Sequence, residues 1–377
     1  MQGRDAMADM GATRPSGPVA ASAIPRDGRR GQRPGSALLA GAVLASALGV
    51  SVFAPATADA QQKLTLRVAD VYPTGHPVAQ TTARFFMDEV RKASNGMIDF
   101  EYFPAQQLGK GKDLLSLTQA GVADIGLIVP SYISDKMPLS AVTELPGAFK
   151  SSCEGTMALW KLATGGVLAS KEFGSNGVRV LIAHAFAPFQ LVTTKPFDGL
   201  SSLEGQKMRS LGAVMDSTIR RLKATPIRIP APEINEAMSR GTIDGGLMGY
   251  PTVLSYDLAR IVKAGTAGAN FGGATITYAI SEKKWKTLDE KTQKVLLAAG
   301  EAATRNGCKH ADDAIAPSAD KLTAAGVKLS RLSEQDQKKL DETLTGVGND
   351  WAKELDARGK PGTEVLEAFR GALRAGG

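Results

Sequence analysis

Apolar and polar positions alternate over residues 64–70, LTLRVAD, with Leu64, Leu66 and Val68 on one side and Thr65 and Arg67 on the other. A period of two in a segment rich in β-formers predicts a strand. The pattern changes after the breaker-rich loop 71–76. Val78, Phe85, Phe86 and Val90 fall on one broad face, which predicts a helix opened by Pro77 and stopped by Asn95-Gly96. Residues 97–103 read as a second strand, 112–119 as a helix and 123–129 as a third strand. Strand, helix, strand, helix, strand in that order predicts an open, mostly parallel sheet.

The same reading continues along the chain. Residues 153–173 are helical in pattern, and 178–185 and 190–194 are strand-like, with a passage between two lobes near Ala187-Pro188. A strand ending in Arg209, a helix over 215–222, a strand over 226–229 and a helix over 232–240 form the second lobe. Residues 274–281 predict a strand that returns to the first lobe. Residues 288–324 are helical for most of their length, with Pro317 expected to bend or break the helix. A late strand over 327–332, an amphipathic helix over 334–357 and a short helix after Pro361-Gly362 complete the pattern. No internal repeat is visible.

The first sixty residues do not share this pattern. Residues 1–36 are rich in Arg, Gly, Pro and Ser, and 37–54 form an apolar, small-residue run followed by Ala58-Asp59-Ala60. Basic residues (Arg29, Arg30, Arg33), an apolar core and an A-x-A site together read as a secretory signal peptide cleaved near Ala60. The rival is an uncleaved anchor, since roughly 18 apolar residues approach spanning length. Arg29-Arg30 evokes twin-Arg export, although the residues after the pair fit that motif poorly.

The remainder is long enough for two α/β lobes, each with its own core. The formal net charge is +7 over 377 residues, with both signs interspersed and no basic block of the kind that binds nucleic acid. Cys153 and Cys308 are the two cysteines. An exported protein can oxidise such a pair, but their spacing leaves a disulfide and two separate buried thiols both open. Catalytic signatures are absent. His76, His184 and His310 lie far apart, with no metal-ligand spacing and no cofactor motif. There is no G-x-S-x-G elbow, and 109–113, GKGKD, only superficially evokes a phosphate loop.

The most informative stretch is 203–251. It runs from LEGQKMR, through a helix and the strand TPIRIP, to a Pro-Glu helix start and IDGGLMGYP. With QQLG (106–109), TQAGVADIGL (118–127), the LPGAF segment (145–149) and WKTLDEKTQ (285–293), it resembles the extracytoplasmic solute-binding proteins of TRAP transporters (tripartite ATP-independent periplasmic transporters). The resemblance covers about three hundred residues, and it rests on the order of the pieces.

That resemblance implies an α/β fold of the two-lobe periplasmic binding protein type, with discontinuous lobes and a long bracing helix. Residues 61–187 with 274–313 would form one lobe, and 188–273 with 314–377 the other, after a signal peptide over 1–60. It implies a periplasmic receptor, not an enzyme, that takes a small organic acid by an Arg–carboxylate clamp and delivers it to TRAP membrane subunits by closing its lobes. No cofactor and no nucleic acid are implied. The alternatives are a solute receptor for another transporter or a sensor, and a periplasmic hydrolase or isomerase on an α/β scaffold.

Arg209 is the residue on which the clamp rests, because a guanidinium grips a carboxylate in a planar fork and keeps its charge when desolvated. Tyr72 and His76, then Ser131 and Tyr132, follow strands at the ends that line the crevice of open α/β sheets. Met248 and Tyr250 lie past the turn at Asp244, and Phe186 and Phe189 lie at the hinge. Phe149 closes the LPGAF segment. Glu233 sits at a helix start, where it serves as a cap or lines the ligand's polar edge. Many relatives place a second Arg in the hinge strand, where this chain offers Gln190. One cation favours a monocarboxylate over a dicarboxylate.

Overall fold

The computed structural model describes residues 63–376. The expected signal peptide and its expected cleavage site near Ala60 lie outside them. The chain lays down β1 (Leu64–Ala69), α1 (Phe85–Ala93), β2 (Ile98–Phe103), α2 (Leu114–Gln119), β3 (Ile125–Ile128), α3 (Ser152–Thr164) and β4 (Val178–Ala185). It crosses to a second sheet with β5 (Gln190–Thr193), β6 (Lys207–Ser210), α4 (Ala213–Arg221), β7 (Thr225–Arg228), α5 (Ile234–Ser239), β8 (Gly245–Met248), α6 (Tyr250–Ser255) and β9 (Ala264–Thr266). It returns with β10 (Thr275–Ser281), α7 (Glu282–Trp285), α8 (Glu290–Asp313) and α9 (Ile315–Ala324). β11 (Lys328–Ser330), α10 (Glu334–Leu344), α11 (Val347–Ala357) and α12 (Gly362–Gly376) complete it.

The strand orders are β2-β1-β3-β10-β4 and β11-β9-β5-β8-β6-β7. The sheets are more mixed than expected. β10 runs antiparallel to both β3 and β4, and β5 runs antiparallel to both β8 and β9. Both are the first strands the chain forms after crossing from the other sheet.

One unit recurs in the two lobes. Asp124 receives the backbone N–H of Arg67 on its carboxylate at 2.8 Å and donates its own N–H to the Arg67 carbonyl at 3.0 Å. Asp244 does the same with Lys207, at 2.9 and 2.7 Å. Each Asp follows a short helix that ends in a left-handed glycine, Gly121 or Gly241, with φ of 76° and 67°. The segments GVADIG and GTIDGG share only Gly, Asp and Gly, so the repeat lies in the backbone.

Three expected helices are divided, each for a local reason. The stretch 153–173 stops at Thr164 before Gly165-Gly166. α8 ends at Asp313, the residue whose carbonyl the ring of Pro317 would strike in a continuous helix, and Pro317 sits in the first turn of α9. The stretch 334–357 is α10 and α11, separated at Gly346 with φ of 82°.

Cys153 and Cys308 form a disulfide that ties the start of α3 to α8, with their Cα atoms 4.7 Å apart. Beside it, the carboxylate of Asp312 receives the N–H groups of Ser152 at 2.6 Å and Cys153 at 3.0 Å, capping α3. One apolar cluster joins Leu159, Val180 and Phe369 with Met208, Val214 and Ile219, so it runs across both sheets. α12 packs on α3, and α11 packs on α12 and α4. Among the described residues no helix is long and apolar enough to cross a membrane.

Candidate functional site

The loops at the carboxyl ends of β1, β3, β6 and β7 meet where the sheets face one another. Gly212, just after β6, lies so close to Ser131 that an added Cβ would stand 2.6 Å from the Ser131 carbonyl oxygen. The lobes are therefore in backbone contact at this point, which only a glycine allows.

Arg209 is carried by β6, flanked by β7 and β8, and is 2% exposed. Its Nε donates to the Ile229 carbonyl at 3.0 Å. Burial pushes its pKa below the ordinary value. The phenols of Tyr132, Tyr256 and Tyr72 act the other way, Tyr132 foremost. No carboxylate of the described residues stands within 4.0 Å of it. A buried cation without a counter-charge is costly.

The nearby carboxylate, Asp70, is engaged elsewhere. It accepts the Tyr72 N–H at 2.8 Å and the hydroxyls of Tyr102 at 2.8 Å and Tyr278 at 2.7 Å. Burial raises its pKa to about 6, and these hydrogen bonds offset only part of that. Asp70 thereby fixes the turn that presents Tyr72. The Tyr72 ring stacks on His76, with centroids 4.0 Å apart and planes at 14°. His76 Nδ1 accepts the Val78 N–H at 3.2 Å, which leaves the proton of the neutral ring on Nε2. Burial, and then His184, push the His76 pKa down to about 3, so it is no cation at neutral pH.

Tyr132 reaches across the cleft, and its hydroxyl accepts the Ala231 N–H at 2.8 Å. Burial raises its pKa, and Arg209 pulls it part of the way back. Behind it, Ser131 and Glu144 are buried, and neither carboxylate oxygen of Glu144 makes a well-formed hydrogen bond. Burial raises the Glu144 pKa to about 8, the Ser131 hydroxyl opposes this, and Glu172 adds to it. Phe186 lies edge-on to His184 at 4.8 Å and is 6.1 Å from Phe189, which together wall the hinge.

Arg209, Tyr72, His76, Ser131 and Tyr132 thus gather at one place, with Phe186 and Phe189 at its hinge end. The five other expected residues do not join this cluster. Gln190 donates to the Ala269 carbonyl at 2.6 Å and accepts from Thr266 at 3.0 Å and from the Ala269 N–H at 3.1 Å, so its amide holds the loop after β9. Tyr250 donates its hydroxyl to the Thr266 carbonyl. Met248 is wholly buried in the core of the second lobe. Phe149 packs on Gly155 and edge-on to Phe369 at 6.4 Å. Glu233 is exposed, and its side chain caps nothing.

Tyr256 was not anticipated from sequence. It lies past α6, before the left-handed Asp257, and packs against the cores of both lobes. Its ring is 6.0 Å from His76. An aromatic after a short helix carries no sequence signal of its own. Only the fold brings it to Arg209.

The chain matches the model of the bacterial extracellular solute-binding proteins of family 7 over residues 68–354. It is 24% identical over 313 residues to the outer membrane transporter protein TsaT of Comamonas testosteroni, covering 82% of this chain and 91% of that one. Among solved structures, it resembles a marine-metagenome TRAP solute-binding protein described as specific for aromatic acid ligands, in complex with meta-hydroxyphenylacetate. The TM-score is 0.76 and the identity 24%, covering 83% of this chain and 99% of the other. It likewise resembles a TRAP solute-binding protein of Rhodoferax ferrireducens T118 in complex with benzoate, with a TM-score of 0.76 and 23% identity over 83% and 98% of the two chains. The shared fold is the two-lobe α/β fold of the TRAP solute-binding proteins.

Proposed function

The chain belongs to the bacterial extracellular solute-binding proteins of family 7, and we propose that it is the periplasmic receptor of a TRAP-type transporter for a small organic acid. The carboxylate of the ligand docks on Arg209 between the lobes, which close over it by hinge motion and present the closed form to the membrane subunits. The observation that carries this reading is a guanidinium 2% exposed with no carboxylate partner among the described residues. An organic anion supplies the missing charge. Lobe closure follows only if the acid binds the closed form more tightly than the open one.

The ligand is a monocarboxylate with an aromatic or aliphatic body. Arg209 is the cation of the cluster, and His76 is held neutral. Rings surround the rest, from Tyr72 to Phe186. A second carboxylate would be buried among them without a partner. The similar solved structures hold meta-hydroxyphenylacetate and benzoate, which fits this class. A micromolar ligand corresponds to about −8 kcal/mol, within reach of one charge pair and aromatic contact. The protein carries out no chemistry on what it binds.

Export delivers the mature chain, beginning near Gln61, to the periplasm. Intact mass of periplasmic protein checks the cleavage, and a full-length chain recovered only with membranes contradicts it. The ligand class is tested by thermal shift over aliphatic and aromatic carboxylates. An acid that raises the midpoint, with its amide or alcohol analogue inactive, supports the reading. A response to neutral sugars or to cations, and to no acid, refutes it.

A further inference from the structure

We propose that the Tyr256 hydroxyl is a second hydrogen-bond donor to the bound carboxylate, beside Arg209. This rests on the organic-acid reading and extends it to a residue outside every motif of the sequence.

The hydroxyl of Tyr256 is buried and has no hydrogen-bond partner among the described residues. A buried donor left unpaired costs free energy, and buried tyrosines ordinarily find a partner. The ring is not free to turn the hydroxyl outward. It packs against the apolar cores of both lobes and stands 6.0 Å from His76. The Tyr256 carbonyl accepts the Asn235 side-chain amide at 2.8 Å, and its N–H donates to Thr252 at 3.2 Å, so the backbone is fixed as well. Tyr132 and Arg209 act on its hydroxyl electrostatically. Tyr132 accepts the Ala231 N–H, and Tyr102 and Tyr278 donate to Asp70, so each of these hydroxyls has a partner. Tyr256 is the phenol whose buried hydroxyl neither gives nor accepts a hydrogen bond among the described residues, and a carboxylate held by Arg209 has lone pairs to take its proton. A guanidinium and a phenol on one carboxylate would also fix the plane of the acid.

The experiment compares the wild type, Tyr256→Phe and Arg209→Ala in the mature protein, by calorimetry with benzoate and 3-hydroxybenzoate and by ligand-free melting. The expected result is about tenfold weaker binding of both acids to Tyr256→Phe, with a ligand-free midpoint unchanged or raised, because a spare donor has been removed. Unchanged affinity overturns the proposal. So does a lowered ligand-free midpoint, which would reveal a structural partner. A loss confined to 3-hydroxybenzoate places the hydroxyl on the ring substituent and overturns the carboxylate contact. If the wild type binds neither acid and Arg209→Ala changes nothing, the organic-acid reading is what fails, and a lowered ligand-free midpoint in Tyr256→Phe still rejects the spare donor.

Discussion

The Tyr132 hydroxyl accepts the backbone N–H of Ala231 at 2.8 Å, joining the loop after β3 to the loop after β7. The two residues belong to different sheets, so this bond exists only while the lobes are together. The same phenol stands beside Arg209 and acts on its charge. Closure and charge capture therefore meet at one side chain.

Tyr132→Phe removes the hydroxyl and keeps the ring. Affinity for a carboxylate ligand is expected to fall by about five- to tenfold, since the closed form loses a latch hydrogen bond worth about 1 kcal/mol. Calorimetry checks the affinity, and small-angle scattering checks that the ligand compacts the variant less completely than the wild type. Equal affinity and equal compaction would show that the bond contributes nothing to closure.

Glu144 sets a pH dependence. Its pKa is raised to about 8 by burial, from an ordinary value of 4.5. Between these values the folded state holds a proton that the unfolded state has released, so stability falls as pH rises through the window. Glu144→Gln has no such titration. Its melting advantage over the wild type is expected to be smallest near pH 4.5, to grow toward pH 8 and to level off above. A difference that stays flat across this range would contradict the burial of the carboxyl group.

The disulfide spans a sequence separation of 155 residues. Chain-entropy arithmetic puts an upper figure of about 5 kcal/mol on such a closure, and measured losses run at about 2–5 kcal/mol. Cys153→Ser with Cys308→Ser, or reduction of the native protein, is expected to lower the melting midpoint by several degrees with ligand affinity largely kept, because the bond lies behind the site in α3 and α8. An unchanged midpoint would mean that the Asp312 cap and packing hold these helices without it.

One cation in a ring of phenols implies a preference by charge. Benzoate or phenylacetate is expected to bind at least tenfold more tightly than a dicarboxylate of matched length, a difference of about 1.4 kcal/mol. Competition calorimetry with succinate measures it. Tighter binding of succinate would require a second positive partner from groups not gathered at Arg209.

Much of this was legible in the sequence, and what was not has physical reasons. Tyr72, His76 and Tyr132 follow from loops at the carboxyl ends of the expected strands, whereas Arg209, in β6, is picked out by the resemblance of the motif around it. β8 was hidden because Gly245 and Gly246 carry no β signal. They are small because an added Cβ would meet the Val192 carbonyl at 2.4 Å and the Arg209 Cβ at 2.8 Å. β9 is only Ala-Gly-Thr. The repeated Asp124 and Asp244 units escape comparison because the backbone, not the side chains, is repeated. Gln190 lay near the hinge as expected, but its side chain faces Thr266 and Ala269, which no pattern along one strand reveals.

The central claim is that a buried, uncompensated Arg209 exists to receive a carboxylate. The measurement is calorimetric titration of wild type, Arg209→Ala and Arg209→Lys with the best-binding acid of the thermal-shift panel. The account predicts that Arg209→Ala stays folded and loses at least tenfold in affinity, more than about 1.4 kcal/mol, and that lysine does not restore it, because an ammonium lacks the planar fork. Near-wild-type affinity in Arg209→Ala would contradict the account.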